Sequence, residues 1–515
     1  MGLCRSAGEM RALSIPRSGE AADRGCGICR DPRVPQQRRV CRHGRGDAPA
    51  RGVERRPGRR ACRAQPTGGG ESLMERILIL GAGPSGIGAA LALGKRCTVL
   101  EAGDRVGGGS GSIEIDGAVF DLGGHSFHTP HPEVRQLVYG AVEMYQQKRQ
   151  ARCYAFGQMI DYPFQRNYRQ LSDAQVVEEC ARGLKQAGDA AGAANFEQYL
   201  LRRFGAGIAR HFMLPYNRKL WGEDLSRLAV SWTGERVAAP ENQRESFRKA
   251  GGVRKPLHGD TIVAYPARGG FGEVYTALSR RIADLRLGQA VARIDPRSRT
   301  LHTRSNATYR WHRIISTLPV DRLLEMIEGI DPALRQIAAG LERLPLRMVF
   351  VVIDHPVDTP IQRIYSAEAH IPAHKIAINH NSSDYLRRLP RHGVMLEVSP
   401  GTRSGVAPED LKTGAAETLR TLGIIRRAEE IHSIHVRDVP YGYPVPTHDF
   451  SQRVQRIQQT LEELGIYTVG RFGQWAYINS DEALYRGLQL GRRLAGQSGR
   501  LPSSPMRQRG GPLRR

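Results

Sequence analysis

The 515-residue sequence contains few cysteines and no long apolar segment. Of its eight cysteines, only Cys97, Cys153 and Cys180 lie beyond residue 73, too few and too scattered for a disulfide framework. No apolar run reaches the roughly 18 residues that a transmembrane helix needs, and no charged start followed by an apolar core marks a signal peptide. We therefore expect a globular, cytoplasmic protein rather than a disulfide-stapled secreted domain or a membrane-spanning protein.

Acidic residues are also comparatively scarce, since 51 Asp and Glu stand against 76 Lys and Arg and give a formal net charge of +25. More than half of this excess lies at the two ends: residues 1–73 contain 16 arginines and 7 acidic residues, and residues 497–515 contain 5 arginines and no acid. Neither end shows a helix or strand period, so both are predicted to be disordered. Because the body has no recognisable nucleic-acid module, the charge predicts neither a nucleic-acid nor a membrane partner.

The first segment contains residues that bind metal in other proteins, namely Cys26, Cys29, Cys41 and His43. Zinc modules pair two such dyads around a hydrophobic core, and this segment has neither, so no metal site is predicted. Met74 opens "MERILILGAGPSG", which is typical of the first strand of a domain. Our hypothesis is that Met74 is the natural start and that residues 1–73 are not part of the native protein.

The segment after Met74 carries a dinucleotide-binding pattern. Residues 76–80 predict a β-strand that ends in Gly81-Ala82-Gly83-Pro84-Ser85-Gly86, and "IGAALAL" predicts a helix directly after it. In this context Gly81 permits the tight turn, Gly83 lets a pyrophosphate approach the backbone, and Gly86 lets helix and strand pack closely. The helix N-terminus would then face the anion.

A second predicted strand, "RCTVLEA", ends in Glu101, which is placed to accept a hydrogen bond from a ribose hydroxyl. The segment "EAGDRVGGGSGS" continues through Arg105, Gly107 and Gly108 and resembles the second signature of FAD proteins of the amine oxidase and protoporphyrinogen oxidase type. A glycine-rich surface turn is the alternative for this segment by itself.

The far end of the chain points to the same cofactor. "GIYTVGRFGQW" predicts a strand, followed by a helix that Ser480 caps and that has Asp481 in its first turn. Flavoproteins of this type complete their cofactor site in this way. FAD is therefore the predicted cofactor, bound by the first and last segments of the body.

Longer segments extend the resemblance to one family. They resemble the matching segments of UDP-galactopyranose mutases of the eukaryotic type, in the same order and over roughly residues 76–495. The segments are "DYPFQRN", "FMLPYNRKLWG", "SWTGERVAAPEN", "YPARGGFGEVY", "STLPVD", "MLEVS", "YGYPVPT" and "GRFGQWAY".

The resemblance implies an α/β fold class: a Rossmann-like FAD-binding domain with an inserted helical domain and a mixed β-sheet substrate domain. The predicted divisions are a basic tail (1–73), the first FAD-binding segment (74–131), a mainly helical substrate domain (132–260), the second FAD-binding segment (261–345), a β-sheet substrate domain (346–440), the third FAD-binding segment (441–496) and a second basic tail (497–515). Helices are predicted at 132–146 and 172–213 from apolar residues three and four apart.

The resemblance also implies a reaction. The family interconverts the pyranose and furanose forms of UDP-galactose, and its reduced flavin N5 forms an adduct with the sugar. This is covalent catalysis with the cofactor as nucleophile. The expected partners are thus FAD in its reduced form, a nucleotide-sugar substrate and an electron donor, for which NAD(P)H is one candidate.

The stretch "GGHSFHT" (123–129) resembles the family loop that lies against the flavin. The glycines, Gly124 among them, would permit close approach to the ring, and His125 would lie beside it. His128 suits a packing role as well as a direct one. Metal binding is disfavoured because no further ligand stands at suitable spacing.

The remaining site residues are also carried over from the family. Arg236 and Lys375 would hold the diphosphate and Arg471 would lie close to flavin and sugar, so that these three and His125 form the predicted catalytic set. Arg268, Gly269 and Gly270 resemble the piece that packs against the isoalloxazine. The predicted substrate-binding residues are Tyr162, Phe164, Gln165, Asn217, Trp221, Tyr365, Tyr443 and Tyr477.

The chain departs from the family on the substrate side. Lys375 stands where the family has an arginine, so the charge is kept but the bidentate fork is lost. Ser382 and Asp260 replace a tyrosine and an asparagine. These changes leave the specific nucleotide sugar open. The alternative function is an FAD-dependent oxidoreductase of the amine oxidase type, and a flavin-binding scaffold without activity comes third.

Overall fold

Two β-sheets organise the portion of the chain that the computed structural model describes, residues 77–233, 237, 262–399 and 407–496. These residues belong to one unit, Glu71–Arg515. The predictions for both tails, for Met74 and for Arg236 and Asp260 lie outside the described residues.

The strands are β1 Ile77–Leu80, β2 Cys97–Leu100, β3 Ser112–Ile115, β4 Ala118–Asp121, β5 Met144–Lys148, β6 Ala151–Ala155, β7 Gln158–Asp161, β8 Ile262–Pro266, β9 Leu285–Arg286, β10 Val291–Asp295, β11 Thr300–Thr303, β12 Thr308–Arg310, β13 Arg313–Ser316, β14 Arg343–Ile353, β15 Arg363–Ser366, β16 Lys375–Ala377, β17 His392–Val398, β18 Ile431–Pro444 and β19 Ile466–Thr468. The α-helices are Pro84–Leu93, Pro132–Tyr139, Phe164–Asn167, Ala174–Gln186, Phe196–Ile208, Leu214–Trp221, Glu273–Ser279, Val320–Met326, Pro332–Ala339, Asp384–Arg387, Pro408–Thr421, Phe450–Glu463 and Ser480–Leu494. None of these helices has both the length and the apolar character needed to cross a membrane.

The first sheet is parallel and has the strand order β19-β13-β1-β2-β9. Its strand β1 is a continuous apolar run, "ILIL", and β2, "CTVL", has Thr98 as its one polar residue, because both faces of these strands are covered. Helices Pro84–Leu93 and Ser480–Leu494 pack together on this sheet at glycines. A Cβ on Gly88 would lie 2.3 Å from the carbonyl oxygen of Leu484, and one on Gly487 would lie 2.0 Å from that of Ser85.

The second sheet is mixed and has the order β18-β14-β17-β16-β15-β6-β7. Its one parallel pair is β15 with β6, which brings Tyr365 beside Cys153. The helix Pro408–Thr421 covers one face through its apolar side chains Leu411 and Leu419. The hairpin β3–β4 packs against the other face through Phe120.

The helical region follows β7. Asp173 caps Ala174–Gln186 by accepting hydrogen bonds from the N–H groups of Gln175 and Val176, and Asn195 caps Phe196–Ile208 through Gln198. A π-helical stretch, Ala209–Met213, leads into Leu214–Trp221. This last helix reaches the cavity described below.

Some sequence predictions of local structure are wrong in detail. The helix predicted at 132–146 ends at Tyr139, because Met144–Lys148 pairs with β8 as a strand. The helix predicted at 172–213 is interrupted between Gln186 and Phe196, where the chain is rich in glycine and alanine. Asn479, not Ser480, is the N-cap residue of the last helix.

The predicted fold class is confirmed. A parallel, Rossmann-like sheet is assembled from separate chain segments, with helices and a mixed sheet inserted between them. The domain boundaries stay predictions.

Candidate functional site

A cavity of about 660 Å³ lies between the dinucleotide turn, the mixed sheet and the helix Leu214–Trp221. It brings together most of the residues that the sequence predicted. Those in its wall are Gly81, Gly83, Pro84, Ser85, Glu101, Gly108, Gly124, His125, His128, Tyr162, Phe164, Gln165, Asn217, Trp221, Tyr365, Lys375, Tyr443, Arg471 and Tyr477.

The dinucleotide turn is shaped by its glycines. Gly81 has a φ of +98°, and a Cβ there would lie 2.3 Å from Thr317 Oγ1. A Cβ on Gly86 would lie 1.9 Å from the carbonyl oxygen of Gly81, so strand and helix leave no room for a side chain. Gly83 is different, because a Cβ there would meet no protein atom within 4 Å among the described residues. The open side of the turn is therefore at Gly83, where the expected pyrophosphate would approach.

Glu101 stabilises this turn. Its Oε2 accepts a hydrogen bond from Ala82 N at 2.7 Å, and its Oε1 accepts one from Gly103 N at 2.8 Å. An ionised carboxylate has further lone pairs, so Glu101 can still accept a bond from a ribose hydroxyl.

Several predicted cofactor residues lie outside the cavity wall: Gly86, Arg105, Gly107, Arg268, Gly269, Gly270 and Asp481. Arg105 is largely exposed and pairs with Asp104 at 3.0 Å. Gly107 supports the turn instead, since its N–H donates to Ala82 O at 2.9 Å.

The segment Arg268–Gly270 packs next to β3 and β4. Arg268 is exposed, and a Cβ on Gly270 would lie 2.3 Å from Ser112 Oγ. Asp481 is buried in the first turn of the last helix. The cofactor-binding roles of these residues stay predictions.

The loop 123–129 forms one wall. The His125 ring stacks on Phe271 with centroids 4.9 Å apart and an interplanar angle of 16°. Burial, together with the charges of Lys375 and Arg363, lowers the pKa of His125 to about 3, so its ring is neutral near pH 7. Arg363 Nη2 donates to His125 O at 2.7 Å and holds the loop from behind.

A buried ion pair lies next to this loop. Lys375 Nζ is 2.6 Å from Glu397 Oε1, and the Glu397 side chain is 1% exposed. Glu397 Oε1 also accepts a hydrogen bond from Gly124 N at 3.1 Å, and its Oε2 accepts one from Tyr443 OH at 3.1 Å. Burial by itself would raise the pKa of Glu397, but the Lys375 charge and the hydrogen bonds from His374 and Lys375 outweigh burial and hold the pKa well below its usual range.

A second cation approaches from the turn between β5 and β6. Arg149 Nη2 donates to Tyr365 OH at 2.7 Å, and its guanidinium lies 5.2 Å from the centroid of the Tyr162 ring. The ring centroids of Tyr162 and Tyr365 are 4.7 Å apart. Tyr365 is the strand neighbour of Lys375. Arg149 and Lys375 thus flank the same tyrosine.

Aromatic side chains form another part of the wall. Phe164, Phe212 and Tyr216 stack almost in parallel, with centroids 4.5 Å and 5.5 Å apart. Such a column suits the flat face of a nucleobase.

Arg471 closes the wall toward the last helix. Its guanidinium lies 5.5 Å and 5.8 Å from the centroids of the Tyr443 and Tyr477 rings. Its donors bind the carbonyl oxygens of Ile478 and Gly442, which fixes the position of its charge.

Sequence reasoning missed Arg149, Arg363, His374 and Glu397. "MLEVS" contains Glu397, but no motif marks it as a site residue. Arg149 and Arg363 reach the cavity only because β15 pairs with β6, a contact across more than 200 residues of chain. A single sequence carries no signal for that pairing.

Comparisons with known proteins give the family. The family model described as flavin containing amine oxidoreductase matches residues 84–356, which is more than half of the chain. The chain belongs to the flavin-containing amine oxidoreductase family. The family implies FAD as the cofactor, and the open turn at Gly83 with Glu101 beside it fits the nucleotide moiety of FAD.

Solved structures share the fold of this flavin-containing amine oxidoreductase. A reduced UDP-galactopyranose mutase superposes with a TM-score of 0.75 and 25% sequence identity, over 83% of this chain and 95% of the mutase. A CLA-producing fatty acid isomerase from P. acnes superposes with a TM-score of 0.58 and 15% identity, over 82% of this chain and 99% of the isomerase.

Among curated proteins, a putrescine oxidase from Kocuria rosea is 41% identical over 91 residues. The match spans 17% of this chain and 19% of the oxidase, so the chain covers about a fifth of the length of that relative.

Proposed function

We propose that this flavin-containing amine oxidoreductase is a mutase that interconverts the pyranose and furanose forms of a nucleotide sugar of the UDP-galactopyranose type. The charge of the cavity carries the proposal. Among the described lining residues, the cations are Arg149, Arg363, Lys375 and Arg471, and the carboxylates are Glu101 and Glu397.

The positions of the two carboxylates sharpen this point. Glu101 binds the dinucleotide turn, which leaves Glu397 as the one described carboxylate beside four cations. Such an excess of positive charge in one cavity favours an anionic group such as a diphosphate. It disfavours a diamine, whose ammonium groups would be repelled.

The aromatic column and the cations would bind different parts of the ligand. Phe164, Phe212 and Tyr216 offer a stacking surface for the base, and Arg149 with Tyr365 offers donors for the phosphates. A reduced flavin would supply the nucleophile for the sugar. His125, neutral and stacked on Phe271, would hold the loop next to the ring of that flavin.

The likeness to the reduced UDP-galactopyranose mutase supports the same function, because it extends over nearly all of that protein. The oxidase alternative is favoured by the family itself and by the 91-residue match to the putrescine oxidase. The cationic cavity argues against it.

The test is a conversion assay. The full-length holoenzyme is reduced with dithionite under anaerobic conditions and given UDP-galactofuranose, and the products are separated by chromatography. UDP-galactopyranose formed only with reduced flavin is the expected result. Oxygen consumption with putrescine, without any conversion of the nucleotide sugar, would overturn the proposal in favour of an oxidase.

A further inference from the structure

A third histidine, His374, lies in the cavity wall between Glu397 and Tyr216. Its side chain is 2% exposed, and its ring meets the Tyr216 ring edge-on with centroids 6.3 Å apart. Its backbone is fixed on both sides, because His374 N donates to Glu397 O at 3.1 Å and His374 O accepts from Ser366 N at 3.3 Å. The backbone of His374 is therefore held in one place.

The neighbours of His374 determine where its proton is. Its Nε2 lies 3.6 Å from Glu397 Oε2. Burial lowers the pKa of His374 in spite of that carboxylate, so the ring is neutral and carries one proton. Glu397 is ionised and can only accept, so the tautomer with its proton on Nε2, the nitrogen that faces this carboxylate, is favoured. Nδ1 is left as a hydrogen-bond acceptor.

This acceptor lacks a donor. Nδ1 of His374 is buried and has no hydrogen-bond partner within residues 77–233, 237, 262–399 and 407–496. A buried polar atom without a partner is costly, and native proteins rarely retain one without a reason. Since His374 lines the cavity, a ligand in the cavity can supply the donor.

We propose that His374 determines specificity by accepting, at Nδ1, a hydrogen bond from a donor group of the nucleotide sugar. The inference rests on the proposed function and names one contact in that site. The donor is a hydroxyl of the hexose or a donor of the nucleoside, a ribose hydroxyl or the N–H of the base. Phosphate oxygens are excluded, since both they and Nδ1 only accept.

The choice of donor matters for selectivity. A ligand that places an acceptor opposite Nδ1 leaves two lone pairs facing each other, and a site built for a hydrogen bond rejects such a ligand more strongly than an apolar pocket would. His374 would thus select among nucleotide sugars of similar size.

The first experiment compares wild-type holoenzyme with His374→Phe. Phenylalanine keeps the ring and its contact with Tyr216 but has no Nδ1. Calorimetric titration with UDP-galactopyranose should show about tenfold weaker binding, the effect of one lost hydrogen bond in a buried site. Affinity equal to that of the wild type would overturn the inference.

Titration with UDP separates the two sources of the donor. If His374→Phe weakens UDP and UDP-galactopyranose equally, the donor is on the nucleoside. If it weakens only UDP-galactopyranose, the donor is on the hexose. Both outcomes support the contact.

The control is His374→Asn, whose side-chain oxygen offers an acceptor close to the position of Nδ1. Its affinity should lie nearer to the wild type than that of His374→Phe, at equal flavin content. If His374→Asn binds UDP-galactopyranose no better than His374→Phe does, the histidine has a structural role only and the inference fails.

The proposed function fails separately. Wild-type protein that binds neither ligand would overturn both proposals. Wild-type protein that converts UDP-galactofuranose, with both variants unaffected in binding, would overturn the inference about His374 alone.

Discussion

Lys375 and Glu397 lie opposite each other on the antiparallel strands β16 and β17 and form an ion pair of 2.6 Å. The same carboxylate accepts the N–H of Gly124. The pair therefore connects the sheet to the loop that contains His125. Lys375 compensates the buried charge of Glu397 and also lines the cavity in which a ligand would bind.

Replacing Lys375 should destabilise the protein strongly. In Lys375→Ala the carboxylate of Glu397 stays buried without its cation, and breaking a buried pair in this way costs about 3 to 5 kcal/mol. Denaturant unfolding measures the loss. The double variant Lys375→Ala/Glu397→Gln should recover some of it, and a single variant as stable as the wild type would show that the pair contributes nothing.

The effect of Lys375→Ala should depend on pH. In the wild type the pKa of Glu397 is depressed below its ordinary value of 4.5, so its stabilisation is present above that value and is lost as the pH falls through the folded-state pKa. Without Lys375 burial would raise the pKa, and the neutral form would be tolerated in acid. The difference in unfolding free energy between the two proteins should grow from pH 4 to pH 7. A constant difference would contradict this assignment.

Two glycines of the dinucleotide turn should respond differently to alanine. A Cβ on Gly86 collides with the backbone of Gly81, whereas one on Gly83 meets only open space among the described residues. Gly86→Ala should lower stability by about 3 kcal/mol and reduce flavin content. Gly83→Ala should lose flavin but keep the melting temperature of the wild-type apoprotein. The ratio of flavin to protein absorbance, with a thermal melt, distinguishes them, and equal behaviour would argue against the FAD assignment.

Arg149 should contribute to anion binding. Its guanidinium lines the cavity beside Tyr365, so Arg149→Leu should weaken UDP binding about tenfold or more, the usual scale for a charged hydrogen bond. Arg182→Leu is the matched control, because Arg182 lies on an exposed helix face, where it pairs with Glu178. Equal affinities for the two variants would remove Arg149 from the site.

His125 should not titrate near neutral pH. Burial and the neighbouring cations lower its pKa to about 3, so its ring resonances should stay constant from pH 5 to pH 8. His355 is an internal reference, since its hydrogen bond to Pro356 O and that to Glu430 raise its pKa. Histidine-labelled protein with His125→Asn for assignment permits the measurement by NMR. A His125 signal that moves with a midpoint near 6 would contradict the neutral, buried ring.

What the sequence could predict was local. The turn at Gly81–Gly86 and the helix Ser480–Leu494 follow from residues that lie next to each other in the chain. The pairing of Lys375 with Glu397, and the approach of Arg149 to Tyr365, depend on the register of strands far apart in sequence. Side chains brought together by such pairings have no motif.

Exposure was equally hard to predict. No local pattern indicates that Arg268 is exposed or that Gly270 packs against Ser112, and the contact of Arg268 with the flavin stays a prediction. The strand Met144–Lys148 was predicted as helix because its partner, Ile262–Pro266, is more than 100 residues away. In both cases the deciding contact is made by a distant segment.

The helix Ser480–Leu494 interlocks with Pro84–Leu93 at Gly88, Gly487 and Gly491, and β19 forms one edge of the parallel sheet. The first segment of the cofactor domain therefore cannot complete its packing until the last segment has been synthesised. Until the ribosome has released residues near 490, the first helix exposes a glycine-rich apolar face without its partner. A chain that terminates upstream of β19 lacks both this strand and the partner helix, and it should hold no flavin.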